Sequence, residues 1–295
     1  MNGDMGIRGE LARLLQFSRV ARTQECKGWP RALTIDCFYV SDKLSLLPAQ
    51  RLPMRPFRII VAVVLVVCGI AFYFFRSMQK AEFWESEIRT FESNDRRTPP
   101  KPGGIVFTGS SSIRLWATLA ADMQPLDVIN RGFGGSQIAD VNYFAPRIIF
   151  PYHPRAVVLY CGDNDLAWPA SKSSGRVFGD FQRFVEIVHG ELPETWIYYV
   201  SIKPSTLRKR RWPKMQEMNR MVEAFARTQE RVQFVDVSSA MLDAQGEPRS
   251  DLLKRDGLHP NQKCYALWTS IIKPILMQRF ASAVGVSATA AGSGG

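Results

Sequence analysis

A histidine close behind an aspartate is the first feature of this sequence that could do chemistry. His259 follows Asp256 by three residues in the segment Asp-Gly-Leu-His-Pro. A carboxylate at that spacing can orient an imidazole, so that the ring accepts a proton from a nearby hydroxyl. The other two histidines, His153 and His189, lie before an apolar run and at the end of an amphipathic stretch. We therefore predict general-base chemistry at His259, with a structural or surface histidine as the alternative.

A hydroxyl and several hydrogen-bond donors occur in three further segments. Ser110, Ser111 and Ser112 form one run, a glycine pair ends at Gly135, and Asn164 lies in Gly-Asp-Asn-Asp. With the histidine, these groups are what acyl transfer through a serine requires. Each also has a simpler explanation, because serine and asparagine cap helices and glycines form tight turns. No G-x-S-x-G segment surrounds the serines, which disfavours an α/β-hydrolase.

Short apolar runs that alternate with longer amphipathic ones must position these segments. We predict strands at Ile105–Phe107, Val128–Asn130, Ala156–Tyr160, Trp196–Val200 and Val232–Asp236, and helices near Ile113–Ala121, Ile138–Arg147, Val177–His189, Pro213–Gln229 and Asn261–Phe280. This alternation predicts an α/β fold with a parallel sheet covered by helices on both faces. Ligands bind beyond the carboxyl ends of such strands, so the four segments should meet at one edge of the sheet.

In order and spacing, the four segments resemble the four blocks of the SGNH (GDSL-type) hydrolase family, over about Gly104 to Pro274. The matching segments are Gly109-Ser110-Ser111 for G-D-S, Asn130 to Gly135 for N-R-G-x-x-G, Gly162-Asp163-Asn164-Asp165 for G-x-N-D, and Asp256 with His259 for D-x-x-H. The chain departs from the family at Ser110, where aspartate is usual, and at Ser112, where leucine or isoleucine is common. It resembles esterases related to the platelet-activating-factor acetylhydrolase catalytic subunits, which share the N-R-G-x-x-G form.

The resemblance implies a three-layer α/β/α, flavodoxin-like fold with a five-stranded parallel sheet. It implies that Ser111 is the nucleophile, that His259 is its base, and that Asp256 orients the imidazole. It places the oxyanion hole at the backbone N–H groups of Ser111 and Gly135 and at the side-chain amide of Asn164. The implied activity is that of a serine esterase or acylhydrolase. An acyltransferase that uses a glycan hydroxyl as acceptor, and a non-catalytic binding module tethered to a membrane, are the alternatives.

The expected substrate is a short acyl or acetyl ester of a carbohydrate or a lipid. Asp163 and Asp165 are the only tight carboxylate pair of these segments, and two acids without histidine or cysteine partners make a poor transition-metal site. No phosphate-binding glycine motif opens a helix. We therefore expect neither a metal nor an organic cofactor.

An uncharged apolar run, Ile59 to Phe75, precedes these segments and predicts one N-terminal membrane-spanning helix. A cleaved signal and a buried core helix are the alternatives. Arg51, Arg55 and Arg58 make the preceding side the more basic one. That asymmetry predicts a catalytic domain outside the cytoplasm, on the periplasmic or extracellular side.

The predicted organisation has five parts. They are residues 1–53, an extension that a mis-assigned upstream start would explain; 54–76, the membrane anchor; 77–103, a juxtamembrane helix and proline-rich linker; 104–281, the hydrolase domain; and 282–295, a flexible tail of small residues. The oligomeric state stays open at this stage.

The net charge of +11 is spread too thinly to indicate a nucleic-acid partner. Residues 76–295 carry 28 Lys and Arg against 22 Asp and Glu, which is typical of a mildly basic globular domain. The densest basic run, Arg208 to Arg211, follows the fourth predicted strand. We interpret it as a solvated loop, with a site for anionic lipid headgroups or an acidic glycan as the alternative.

The five cysteines are scattered, which argues against a zinc finger or a disulfide-stapled scaffold. Cys161 and Cys264 are the only ones beyond the apolar run. They would pair only if their Cα atoms lie within about 7 Å.

Overall fold

The computed structural model describes residues 54–77, 81–167 and 170–280, with side chains of 59–73 in the first range. Helix α1 spans Met54–Ser77. Its large apolar side chains between Ile59 and Tyr73 are 40–72% exposed. Among the described residues, none of the helices combines the length and the hydropathy that a bilayer span requires. The membrane anchor therefore stays a prediction, and the predictions for 1–53 and 282–295 lie outside the described residues.

The chain divides into two compact units, 1–65 and 66–295, and the second contains an α/β domain. Its strands are β1 Ile105–Gly109, β2 Val128–Gly132, β3 Ala156–Tyr160, β4 Trp196–Val200 and β5 Val232–Val235. Its helices are α2 Glu85–Arg97, α3 Ser111–Arg114, α4 Leu119–Asp122, α5 Ile138–Ile148, α6 Asp163–Leu166, α7 Ser174–Glu191, α8 Trp212–Ala226 and α9 Gln262–Phe280. Short 3-10 turns lie at Ala81–Trp84, Phe150–Tyr152, Lys209–Arg211, Ser239–Met241 and Ser250–Leu252. All five predicted strands are present.

The five strands form one parallel sheet in the order β2-β1-β3-β4-β5. Ile105 of β1 pairs with Val128 on one side and with Ala156 on the other. The strand order reverses between β1 and β3, and in open parallel sheets the crevice at such a reversal is where ligands bind. The predicted parallel sheet is confirmed, and its switch point lies between the strands that precede Ser111 and Asn164.

Alternation along the strands explains why helices cover both faces of the sheet. In β1, Val106 belongs to one buried cluster, while Ile105 and Phe107 belong to the other. Helices α2, α5, α7 and α8 contribute to the first cluster, and α3, α4 and α9 contribute to the second. The domain is therefore a three-layer α/β/α sandwich.

Two predicted segments differ from the structure. The single helix expected over Ile113–Ala121 is instead two short helices, α3 and α4. The break lies at Trp116, whose buried indole donates from Nε1 to Asp122 Oδ2 at 2.6 Å. Both short helices bury apolar residues in the same layer, so the apolar spacing continues across the break and imitates one helix.

The segment predicted as a juxtamembrane helix and linker packs onto the domain. Trp84 and Ile88 are buried in the first core cluster. Arg147 of α5 forms ion pairs with Glu85 and Glu92 of α2, both at 2.7 Å. Residues 81–97 are therefore part of the packed domain, because the helix has an apolar side that a purely polar linker would lack.

The two buried cysteines do not form a disulfide. Cys161 and Cys264 are both free. They belong to different core clusters, on opposite faces of the sheet. The sheet itself therefore separates the two thiols.

Candidate active site

Ser111 is positioned by the turn that ends β1. Gly109 has a φ of +121°, and a Cβ atom there would lie 1.9 Å from the carbonyl oxygen of Tyr160. Only glycine fits such a turn. The chain then enters α3, whose first residue is Ser111. Ser110 and Ser112 are buried, whereas Ser111 is partly exposed, so Ser111 is the accessible hydroxyl of the three.

His259 lies between Ser111 and Asp256. The Ser111 Oγ–H points to His259 Nε2 at 3.0 Å, and His259 Nδ1–H points to Asp256 Oδ2 at 2.7 Å. The proton is assigned to Nδ1 because a carboxylate can only accept. The structure thus brings together three side chains that are 148 and three residues apart in the sequence. The first of these hydrogen bonds can carry a proton from the hydroxyl to the imidazole, and the second orients the ring.

Asp256 is held as a carboxylate by its own loop. Its Oδ1 accepts from the backbone N–H groups of Leu258 and His259, each at 2.9 Å. Partial burial acts to raise the pKa of Asp256, but these hydrogen bonds and the His259 ring outweigh it and lower that pKa well below its usual range. These contacts favour the carboxylate form of Asp256, which can accept the His259 Nδ1–H.

The loop after β2 runs beside the turn that leads to Ser111. The backbone N–H of Phe133 donates to Gly109 O at 2.9 Å. Asn130 joins the same two segments, because its Nδ2 donates to Ile113 O at 2.7 Å and its Oδ1 accepts from Gly132 N at 2.9 Å. Gly135 follows, with a φ of +83°. The predicted glycine thus lies on a loop that is tied to the serine turn.

Asn164 lies against the Gly135 loop. Its Nδ2 donates to the carbonyl oxygen of Ser136 at 3.0 Å, which uses one of the two amide protons. Within the described ranges, the backbone N–H groups of Ser111 and Gly135 form no hydrogen bond. Two backbone donors and one amide proton therefore remain available to bind a negative oxygen.

Asp165 links the loop that carries Asn164 to the start of α5, the helix that follows Gly135. Its carboxylate accepts from Ile138 N, the first residue of α5, at 3.3 Å and from Lys172 Nζ at 3.0 Å. Lys172 also contacts Asp180 at 2.8 Å. Burial raises the pKa of Asp165 to about 6, against the lowering effect of Lys172. Asp165 is therefore a buried brace between the Asn164 loop and the helix after Gly135.

Two residues that contact this site were not identified from the sequence. Arg208 Nη2 donates to Asn164 Oδ1 at 2.9 Å, although its basic run was interpreted as a solvated loop. The indole of Trp84 packs on Gly135, with its nearest atom 3.1 Å from where a glycine Cβ would be. The sequence shows the basic run, but it does not show that Arg208 is the member that faces the site.

The remaining histidines lie elsewhere. His153 precedes β3, at the amino end of the sheet, and His189 contacts Thr195 O at 3.2 Å near the end of α7. Across the described part of the chain, no cluster of three or more His, Cys, Asp or Glu side chains is placed to hold a metal ion. The expectation that no metal takes part stays a prediction.

A polar cavity of about 480 Å³ adjoins the loop that carries Gly135. It is lined by Gln137, Ala139, Asp140, Ala170, Lys172 and Arg176. Gln137 lies only two residues beyond Gly135. The six lining residues do not include Ser111, Gly135, Asn164 or His259.

A hydroxyl, a base and free hydrogen-bond donors at the carboxyl edge of a parallel sheet define a site suited to ester hydrolysis. The sequence profile of the GDSL-like lipase/acylhydrolase family matches residues 101–267. The chain belongs to this family, as its resemblance to SGNH hydrolases predicted. It is a hydrolase that acts on ester bonds.

Solved structures from several bacteria share the fold. A Streptococcus pneumonia protein named for platelet activating factor is 18% identical, with a TM-score of 0.59, over 72% of this chain and 99% of its own. A GDSL-like lipase from Bacteroides thetaiotaomicron is 19% identical, with a TM-score of 0.56, over 68% of this chain and 98% of its own. No curated protein sequence matches the chain. At these identities the likeness shows the fold alone.

Proposed function

We propose that this protein is a serine esterase that cleaves short acyl or acetyl esters of a carbohydrate or a lipid. The observation that carries the proposal is the pair of hydrogen bonds that joins Ser111 to His259 at 3.0 Å and His259 to Asp256 at 2.7 Å. Such a chain activates a serine that is otherwise a weak nucleophile. Ester-bond chemistry is the activity of the family, and these side chains are the groups that would perform it.

In the acylation step, Ser111 Oγ attacks the ester carbonyl carbon while its proton moves to His259 Nε2. Asp256 keeps the imidazole in the Nδ1–H tautomer and stabilises the imidazolium that forms. The carbonyl oxygen becomes an oxyanion and accepts hydrogen bonds from the N–H groups of Ser111 and Gly135 and from Asn164 Nδ2. Collapse of this intermediate breaks the bond to the alcohol, which leaves with the proton from His259.

In the deacylation step, water attacks the acyl group on Ser111 and gives its proton to His259. The same oxyanion donors stabilise the second intermediate, and the carboxylic acid leaves as the Ser111 hydroxyl is restored. A glycan hydroxyl in place of water would make the protein an acyltransferase with the same residues.

Hydrolysis of p-nitrophenyl acetate, butyrate and octanoate by the full chain in detergent tests this proposal. We expect turnover that falls as the acyl chain lengthens and that is abolished in Ser111→Ala and His259→Ala. A fluorophosphonate probe should label the wild-type protein and leave Ser111→Ala unlabelled. Ser110→Ala is the matched control, because Ser110 is a buried neighbour and the hydrogen bond of His259 goes to Ser111.

Unchanged turnover in Ser111→Ala would contradict the nucleophile assignment. Labelling by the phosphonate without any ester turnover would favour the acyltransferase, and added glycan acceptors would then reveal acyl transfer. Absence of both labelling and turnover would favour a binding module.

We also propose that α1 anchors the protein in a membrane, with the catalytic domain on the periplasmic or extracellular side. The support is the uncharged run from Ile59 to Phe75, the exposure of its apolar side chains in the helix, and the arginines that precede it. The protein should stay in the membrane fraction after an alkaline carbonate wash, and deletion of residues 1–76 should release it. Release of the full chain by the wash would contradict the anchor.

A further inference from the structure

The basic run that follows β4 has members with very different surroundings. Arg208 keeps only 16% of its side chain exposed and faces the site. Lys209 forms an ion pair with Glu247 at 2.6 Å on the surface, with 60% of its side chain exposed. Arg210 is exposed. Only Arg208 of these three reaches the loop that carries Asn164, so the run cannot be treated as one solvated patch.

Arg208 and Ser136 together determine which way the Asn164 amide points. Arg208 Nη2 donates to Asn164 Oδ1 at 2.9 Å, and Asn164 Nδ2 donates to Ser136 O at 3.0 Å. A guanidinium can only donate and a backbone carbonyl can only accept. If the amide were flipped, its NH2 would face the Arg208 guanidinium, which also donates, and its oxygen would face the Ser136 carbonyl, which also accepts. The amide nitrogen is therefore fixed on the side of the Gly135 loop.

Arg208 is itself fixed by a buried carboxylate. Its Nη1 lies 3.0 Å from Asp163 Oδ2, and the Asp163 side chain is 6% exposed. Lys203 Nζ lies 3.8 Å from the same oxygen. Asp163 therefore faces two cations, and one of them is directed to Asn164. A series of side-chain contacts therefore runs from Asp163 through Arg208 to Asn164.

The backbone that presents Arg208 is held against the loop of the base. Leu207 N and Thr206 Oγ1 both donate to Gly257 O, at 3.0 and 3.1 Å. Gly257 has a φ of +65°, and a Cβ there would lie 2.3 Å from Thr206 Oγ1. Gly257 separates Asp256 from Leu258, so residues 206–208 touch both the Asp256 loop and the Asn164 loop. The segment that carries Arg208 is thus tied by two hydrogen bonds to the loop of Asp256.

We propose that Arg208 is a positioning residue that orients and polarises the Asn164 amide as an oxyanion donor. This inference rests on the proposed function. A charged donor at Oδ1 draws electron density from the amide, which strengthens the remaining N–H as a donor. The guanidinium also places a positive charge behind Asn164, on the side opposite to the N–H that would bind the oxyanion. Negative charge develops on that oxygen during the reaction. Arg208 acts through Asn164 and need not touch the substrate.

A double-mutant cycle with ester hydrolysis as readout tests this inference. Loss of a hydrogen bond to a charged group should make Arg208→Ala lower kcat by about 10–100-fold, with KM nearly unchanged. In an Asn164→Ala background, the same substitution should change kcat by less than about threefold, since its target is gone. Arg208→Lys keeps the charge without the fork and should recover only part of the loss. Arg210→Ala is the matched control and should leave kcat unchanged.

Equal losses of kcat from Arg208→Ala in both backgrounds would overturn the inference, because Arg208 would then act independently of Asn164. A rise in KM alone would also overturn it and indicate contact with the substrate. Added guanidinium should restore part of the activity of Arg208→Ala and none in the double variant. Such rescue separates a lost function from a protein that has failed to fold.

The rate of fluorophosphonate labelling of Ser111 separates this inference from the proposed function. Phosphonylation also builds negative charge on an oxygen in the oxyanion hole, but it requires no turnover. A protein that is labelled without hydrolysing esters would contradict the proposed esterase. Its labelling rates would still measure the double-mutant cycle of Arg208→Ala and Asn164→Ala. A labelling rate unaffected by Arg208→Ala would overturn the inference even if esters are cleaved.

Discussion

The two halves of the site differ in how far they are exposed. In the proton-transfer half, the side chains of His259 and Asp256 are 25% and 45% exposed. In the oxyanion half, the carboxylates beside Asn164 are almost fully buried, with Asp163 at 6% and Asp165 at 0%. One half is therefore part of a surface loop, and the other lies on a buried polar network.

The two halves also differ in the origin of the contacts that hold them. Asp256 and His259 are joined through hydrogen bonds that span only two or three residues of one loop. Asn164 is held by Ser136 and by Arg208, which are 28 and 44 residues away. The bonds that set Asp256 against His259 are therefore local, although residues 206 and 207 also hold their loop at Gly257. Asn164, by contrast, is set only by segments that the sheet brings together. Substitutions in and around the two halves should reveal this difference.

Asp256→Asn should cause the largest loss of turnover among these substitutions without unfolding the protein. With its oxygen on the N–H groups of Leu258 and His259, the asparagine turns its NH2, a donor, toward His259 Nδ1, and it carries no charge to stabilise an imidazolium. The value of kcat should therefore fall by about 10³–10⁴-fold. An asparagine still offers an oxygen to the N–H groups of Leu258 and His259, so the free energy of unfolding in urea should change little. Asp251→Asn, at another exposed aspartate, is the control. A large fall in stability would show that the exposed half is also structural.

Asn164→Ala should lower kcat by about 10²–10³-fold, as loss of one oxyanion donor typically does. KM for p-nitrophenyl acetate should change little, because the donor acts mainly in the transition state. Steady-state kinetics beside Asn142→Ala, another partly buried asparagine, measures the effect. Wild-type kcat in Asn164→Ala would remove this residue from the oxyanion half.

Trp84→Ala should lower kcat only severalfold but should destabilise the domain. The indole packs against Gly135 and Phe133, and its removal leaves a cavity beneath the oxyanion loop. Loss of a buried tryptophan side chain typically costs about 3–5 kcal/mol of unfolding free energy. Urea unfolding followed by fluorescence measures it, with Tyr143→Ala, an aromatic residue 56% exposed, as control. Unaltered stability and kcat would show that residues outside 101–267 do not support the site.

Asp165→Asn should leave turnover nearly unchanged and alter how stability depends on pH. The folded-state pKa of Asp165 is raised to about 6, so its contribution to stability is fully present below the unfolded value near 4. It is lost as the pH rises through about 6. The melting temperature of the wild type should therefore fall more steeply between about pH 4 and 6 than that of Asp165→Asn. If the melting temperatures of the two proteins changed with pH in the same way, the raised pKa of Asp165 would be contradicted.

Much of the fold and several site contacts were accessible from the sequence. The five strands were predicted because each buried run is short, apolar and followed by turn residues. Their parallel pairing then brings the carboxyl ends together, which is why Ser111, Gly135 and Asn164 lie at one edge of the sheet. His259 and Asp256 were predicted as a pair because three residues separate them in one loop.

Other features could not be predicted, because they depend on contacts between distant segments. The apolar spacing of 113–121 continues across the break at Trp116, since both short helices face the same layer. Trp84 lies in a segment that was predicted as a juxtamembrane helix and linker, and its partner Gly135 is 51 residues further along the chain. The sequence left open whether Cys161 and Cys264 pair, and the sheet places them on opposite faces.

The sequence by itself determined the family, the parallel sheet and the chemical groups at its edge, because each is encoded in short segments with fixed spacing. Only the tertiary structure decided what orients those groups. Arg208 belongs to a basic run that composition alone assigns to solvent. The residues next to an arginine in the sequence do not reveal whether it pairs with a buried aspartate. The contact of Arg208 with Asn164 forms because the packing of the sheet brings the loop after β4 next to the loop after β3.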